Sequence, residues 1–158
     1  MPGHSNWFRP VSIALGAMLL GGIGGVGELR AEPPTVQVYK SPYCDCCGGW
    51  VDHMRANGFT VVVQDMDDLT LVKRMAGVPD EQQACHTAVV AGYAVEGHVP
   101  AAVVERVLEQ KPDIIGIATP GMPTGAPGMG GPPERYDVIA FDKEGSRVFA
   151  TFVGKVEQ

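Results

Sequence analysis

The sequence predicts one α/β domain: a three-layer fold with a mixed central sheet and an extra C-terminal β-hairpin. Three observations carry this. Short β-branched runs alternate with amphipathic stretches, which is the pattern of βα units. A cysteine-rich motif opens the first of those helices. Two later pairs of runs are separated by turn residues and read as hairpins. The chain has 158 residues, enough for a leader and one domain but not for two large ones.

Taking the elements in order, Thr35 to Tyr39 alternates β-branched and aromatic residues and reads as a strand, broken by Ser41-Pro42. In Cys44-Asp45-Cys46-Cys47-Gly48-Gly49-Trp50-Val51-Asp52-His53-Met54 the apolar Trp50, Val51 and Met54 recur at helical spacing, and Asn57-Gly58 is a stop signal. Phe59 to Gln64 is a nearly continuous apolar strand, as in a strand buried on both faces. Asp67-Asp68 caps a short helix from Leu69 to Met75, ended by Gly77 and Pro79. Thr87 to Val90 and Tyr93 to Val95 form a hairpin about Ala91-Gly92. Val99 to Gln110 is a helix with Pro100 in its first turn, where proline is tolerated. Residues 112–134 read as a long Gly/Pro/Met loop, too rich in glycine and proline for a helix or strand. Tyr136 to Asp142 and Arg147 to Phe152 make the last hairpin around Lys143-Glu144-Gly145. The order, βαβαββα and then a hairpin, is thioredoxin-like, with a cysteine motif at the start of the first helix.

Residues 1–31 read as a signal peptide, leaving residues 32–158 as the folded domain. Arg9 supplies the positive start, Val11 to Val26 is an uncharged apolar stretch, and Ala31 offers a small residue before the cut. That stretch is about 16 residues long, short of the roughly 20 needed to cross a bilayer, so no stable membrane span is expected after cleavage. The chain is therefore expected to be exported. The net charge is −6 and no basic patch is evident, which argues against a nucleic-acid partner.

Export changes how the four cysteines are read. Cys46 and Cys47 are adjacent, and Cys44–Cys46 would close a very tight ring, so a framework of structural disulfides fits poorly. Chemistry at one site fits better. Cys44 and Cys47 form a Cys-x-x-Cys at a helix start, where the dipole and free N–H groups stabilise thiolate. Cys46 is a third thiol that a dithiol exchanger does not need. Asp45 opposes thiolate formation but favours a bound cation. Cys85-His86, just before the third strand, is placed by such a fold opposite the helix-start motif. Met122 and Met129 offer thioethers in the Gly/Pro loop, and thioether with thiolate selects soft ions, Cu(I) above all. His98 is a weaker candidate beside a turn, and His53 reads as a solvated helix residue. Zinc sites pair two Cys or Cys/His knuckles, and only one is present. The spacings match neither common iron–sulfur pattern.

Four segments in order, Ser41-Pro42-Tyr43-Cys44-Asp45-Cys46-Cys47-Gly48-Gly49-Trp50, Ala84-Cys85-His86-Thr87-Ala88-Val89-Val90, Glu96-Gly97-His98-Val99-Pro100 and Pro120-Gly121-Met122-Pro123 through Gly128-Met129, resemble the CopG-type periplasmic copper-resistance family. The resemblance runs from about residue 35 to 152. It implies a thioredoxin-like fold, a periplasmic location and copper as the bound ion. It implies copper ligation by Cys44, Cys46, Cys47, Cys85, Met122 and Met129, with His86 and His98 as further candidates. It also implies a role in copper tolerance, through interconversion of Cu(I) and Cu(II) by a copper oxidoreductase, with other periplasmic copper-handling proteins as partners. Members of the family tend to carry glycine where Asp45 stands and often lysine where Gly49 stands. Both departures make this site more negative. The residues alone leave two alternatives open: a metal-free thiol–disulfide oxidoreductase using Cys44 and Cys47, and a copper metallochaperone.

Overall fold

The computed structural model describes residues 34–158, so the leader expected over residues 1–31 lies outside them. Within that span, strands and helices follow as β1 (Val36–Lys40), α1 (Asp45–Ala56), β2 (Val61–Asp65), α2 (Thr70–Met75), β3 (His86–Val90), β4 (Tyr93–Gly97), α3 (Ala101–Gln110), β5 (Gly116–Thr119), β6 (Arg135–Phe141), β7 (Ser146–Val153) and β8 (Val156–Glu157). One mixed sheet holds all eight strands in the order β2-β1-β3-β4-β5-β6-β7-β8. β1 and β2 are parallel, as the crossover through α1 requires, and β3 runs antiparallel to both β1 and β4. This is the βαβ-plus-hairpin core that the sequence predicts.

Period-two alternation along the strands divides the interior into two layers. On one face Val36, Val38, Ala88, Val90, Val95 and Ile117 pack with Trp50, Val51 and Met54 of α1 and with Val103, Val104 and Val107 of α3. On the other, Ala94, Ala118 and Phe141 pack with Val78, just beyond α2. Helices therefore cover both faces, giving three layers. The N-cap of α2 is Leu69, and the Asp68 carboxylate just before it accepts the Thr70 N–H at 2.8 Å, satisfying one free donor of the first turn.

The reading of residues 112–134 as loop throughout is corrected. Gly116–Thr119 is a fully buried strand, parallel to β4 and antiparallel to β6. It joins the core sheet to the C-terminal hairpin of β6 and β7. The proline at 112 and the glycine at 116 masked an apolar run, Ile114 to Ala118. Gly116 is there because the sheet is tight: a Cβ would fall 2.3 Å from the Ala94 carbonyl oxygen and 2.7 Å from the Phe141 ring. A residue with a side chain cannot take this register, so a glycine that looks like a loop signal is a condition of the strand. The two-residue β8 at the sheet's edge is likewise absent from the sequence reading.

Candidate metal centre

β1 ends at Lys40, and β3 begins at His86 directly opposite it. The antiparallel register thus delivers two chain segments to the same end of the sheet: the loop leading into α1, and the residue just before β3. Cys44 is the N-cap of α1, and its N–H donates to the Ser41 carbonyl at 3.2 Å. Asp45 stands in the first turn, where the helix dipole favours a negative charge. Cys85 arrives from β3. The result is that the sulfurs of Cys44, Cys46, Cys47 and Cys85 all lie within 4.8 Å of one another. Cys44 and Cys47 are joined as a disulfide, while Cys46 and Cys85 are free thiols. The Cys46 sulfur stands 3.5 Å from that of Cys44.

Imidazoles extend this cluster on the Cys85 side. Cys85 Sγ is 3.2 Å from His98 Nε2 and 3.4 Å from His86 Nδ1. The backbone fixes the His98 tautomer: Nδ1 lies 2.7 Å from the Pro127 carbonyl oxygen, which can only accept. Nδ1 therefore carries the proton, and the lone pair of Nε2 faces the thiol. His86 is fully buried, with the Trp50 ring 4.6 Å away centroid to centroid and the His98 ring edge-on at 5.1 Å. Burial, assisted by His98, pushes its pKa down to about 3. The Gly97 backbone pulls the other way, yet among the described residues no partner meets His86 Nε2 at hydrogen-bonding geometry. Burial lowers His98 as well, against the opposing Pro127 carbonyl. Both rings are thus neutral near pH 7 and can offer lone pairs to a cation. Burial first, then the neighbouring Cys46, pushes the Cys85 thiol up to about 12. A bound cation inverts that preference, because it makes the thiolate the favoured form.

Each methionine of the Gly/Pro loop has its own surroundings. The loop is pinned to the start of α1 by a glycine-to-glycine contact. A Cβ on Gly128, whose φ is +82°, would fall 2.4 Å from the Trp50 nitrogen and 2.7 Å from the Cys46 carbonyl oxygen. A Cβ on Gly49 would in turn meet Gly128 Cα at 3.0 Å. With Pro127 held by His98, this seats residues 127–128 against the cysteine-bearing turn. Met129, next in the chain, is partly buried against the main core, whereas Met122 is 54% exposed. The structure therefore brings together four cysteine sulfurs, two of them in a disulfide, and two imidazoles, sets Met129 beside the residues that touch α1, and leaves Met122 at the surface. Pro127, which orients His98, carries no signal in the sequence because it acts through its backbone. A cavity of about 600 Å³ lined by Val72, Met75, Val89 and Ile115 shares none of these residues.

His53 is not the solvated residue its helix position suggests. Its Nε2 accepts the Ala101 N–H at 3.0 Å, supplying a partner to the free N-terminus of α3. Burial and then the charge of Lys155 lower its pKa. A histidine whose folded pKa is depressed contributes stability that is complete above its unfolded value, about 6.5, and is lost as pH falls below it. His86 and His98 act in the same direction. His53→Gln keeps an acceptor but does not titrate. Thermal unfolding at about pH 8 and about pH 5.5 should show a smaller acid destabilisation in the variant than in the parent. An unchanged pH dependence would show that the His53–Ala101 contact is not a source of it.

Comparison with known proteins adds to this geometry. A family model described as "Protein of unknown function, DUF411" matches residues 82–129, a stretch that opens just before Cys85 and closes at Met129. Two solved structures of copper resistance protein copG, form 2 and form 1, are each 40% identical to the chain with a TM-score of 0.72. The first match covers 77% of this chain and 99% of the solved one, the second 78% and 100%. No curated protein matches the chain.

Proposed function

The chain belongs to the CopG copper-resistance family, and we propose that it binds copper in the periplasm as part of copper tolerance, with copper as its cargo. The observation that carries this reading is the set of four sulfurs within 4.8 Å of one another, with the His98 lone pair directed at one of them. Soft thiolates with an imidazole suit Cu(I), and among the described residues no carboxylate joins the set to favour a harder ion. Cys44, Cys46, Cys47 and Cys85 are the primary ligands, His98 and His86 the nitrogen donors. Met129 and Met122 are neutral soft donors that need no deprotonation. The periplasmic placement rests on the leader expected over residues 1–31.

The Cys44–Cys47 disulfide supports a redox role for the same site. Two thiolates that reduce two Cu(II) ions to Cu(I) give up two electrons and close the disulfide. Run in reverse, the disulfide accepts one electron from each of two Cu(I) ions and opens. The disulfide also favours a second reading, thiol–disulfide exchange without metal. The two separate at Cys46: a dithiol exchanger that uses Cys44 and Cys47 reduces insulin equally well after Cys46→Ser.

A competition titration against a Cu(I) chelator tests the binding. The reduced protein should bind Cu(I) tightly. The Met122→Leu, Met129→Leu double variant keeps bulk and apolarity but removes the thioether lone pairs, so it should fold normally and bind Cu(I) about tenfold more weakly. Zn(II) affinity should change much less, because zinc relies on thiolates and imidazole. Equal Cu(I) affinity and stoichiometry in the two proteins would leave the loop as packing alone.

A further inference from the structure

Cys85 lies outside the β3 ladder, so something other than strand pairing must fix it. On the sheet face opposite α1, a buried ion pair joins Lys73 of α2 to Glu96 of β4. Glu96 is fully buried and Lys73 nearly so. Burying such a pair costs much of its attraction in desolvation, and an apolar pair of similar volume is often as stable or more so. Its presence therefore calls for a use beyond packing.

The hydrogen bonds show where the pair acts. The Ala84 N–H donates to Glu96 Oε1 at 2.7 Å, and Lys73 Nζ donates to the Ala84 carbonyl oxygen at 2.9 Å. The Thr87 hydroxyl donates to Glu96 Oε2 at 2.7 Å and accepts from Lys73 Nζ at 3.1 Å. Both backbone polar groups of the residue before Cys85, and the side chain two residues after it, are thus held by one buried pair. The Ala84 carbonyl belongs to the peptide that carries the Cys85 nitrogen. We infer that Lys73 and Glu96 are positioning residues that clamp the Ala84–Cys85 peptide and so hold the Cys85 sulfur in the thiol cluster. This rests on the reading of Cys85 as a ligand.

The disulfide form supplies its own control, because Cys46 and Cys85 are its two free thiols. The Lys73→Met, Glu96→Gln double variant removes one charge of each sign, and because the lost Glu96 carboxylate itself disfavours the Cys85 thiolate, labelling is followed across pH so that a change in thiol acidity separates from a change in position. In the metal-free chain, alkylation of Cys85 followed by mass spectrometry should be about tenfold faster in the variant, with Cys46 unchanged. A general loosening of the fold would speed both thiols, and that result, or no change at Cys85, overturns the inference. If the double variant does not fold, Lys73→Gln with Glu96→Gln retains polar partners for Ala84, and a smaller rise confined to Cys85 is expected. Metal binding gives a second readout. With Cd(II) as probe and all four cysteines reduced, the cadmium–thiolate absorbance of the Lys73→Met, Glu96→Gln variant should fall by about a quarter, as in Cys85→Ser. Adding Cys85→Ser to it should cause no further loss, and full absorbance in the folded variant overturns the clamp. A wild-type chain with no cadmium–thiolate band would count against the proposed metal site, while the labelling rates would still decide the clamp.

Discussion

Cys46→Ser is expected to lower the Cu(I) affinity of the reduced protein by on the order of 100-fold or more, since losing even a group that only supports a ligand costs 10- to 100-fold. Cys46 is the informative cysteine. It is a free thiol, half-buried, whose hydrogen-bond contact is with the Cys44 sulfur. Serine occupies nearly the same space, so the fold and the Cys44–Cys47 pair should survive. The hydroxyl is a hard, weakly acidic donor and a poor substitute for thiolate toward Cu(I). Cys44→Ser or Cys47→Ser would remove a ligand and the disulfide together and could not separate the two readings. Unchanged Cu(I) affinity and stoichiometry in Cys46→Ser, with full insulin reduction, would favour thiol–disulfide exchange instead.

Gly128→Ala is expected to destabilise the protein by about 3 kcal/mol, combining a left-handed φ with overpacking. At φ +82° a side chain is strained in any surroundings. Here the added methyl would also meet backbone atoms of α1, the Trp50 nitrogen at 2.4 Å and the Cys46 carbonyl oxygen at 2.7 Å, neither of which can swing aside. The loop must lift or the helix must shift. Lifting it draws Pro127 away from His98 Nδ1, which frees the ring that faces Cys85. Denaturant unfolding should therefore show the stability loss, and the chelator competition should show weaker Cu(I) binding in the protein that remains folded. A loss below about 1 kcal/mol would mean that the loop is not seated on α1 as described.

Much of this architecture is legible in the sequence because local patterns and tertiary demands agree there. The alternation of Val36 and Val38, the helical spacing of Trp50, Val51 and Met54, and the Ala91-Gly92 turn each state the period of the element they build. The convergence of Cys85 on the Cys44 motif follows from strand order alone once β1 and β3 are neighbours. Legibility ends where a residue answers to a distant partner. Gly116 reads as a loop residue because nothing local discloses the Ala94 carbonyl and Phe141 ring that demand it. His53 reads as solvated because the Ala101 N–H that it accepts is 48 positions away. Nothing local in the sequence marks Lys73 or Glu96 as partners, and only the fold shows them paired beneath Cys85. The methionines read alike, yet one lies at the surface and the other against the core.

X-ray absorption at the copper edge of the reduced, Cu(I)-loaded protein tests the central claim most directly. The four sulfurs within 4.8 Å of one another should yield a first shell dominated by sulfur, with a minor imidazole contribution that His98→Ala diminishes. A first shell made of nitrogen and oxygen alone would contradict the account, because it would place copper away from the cysteines that this fold gathers.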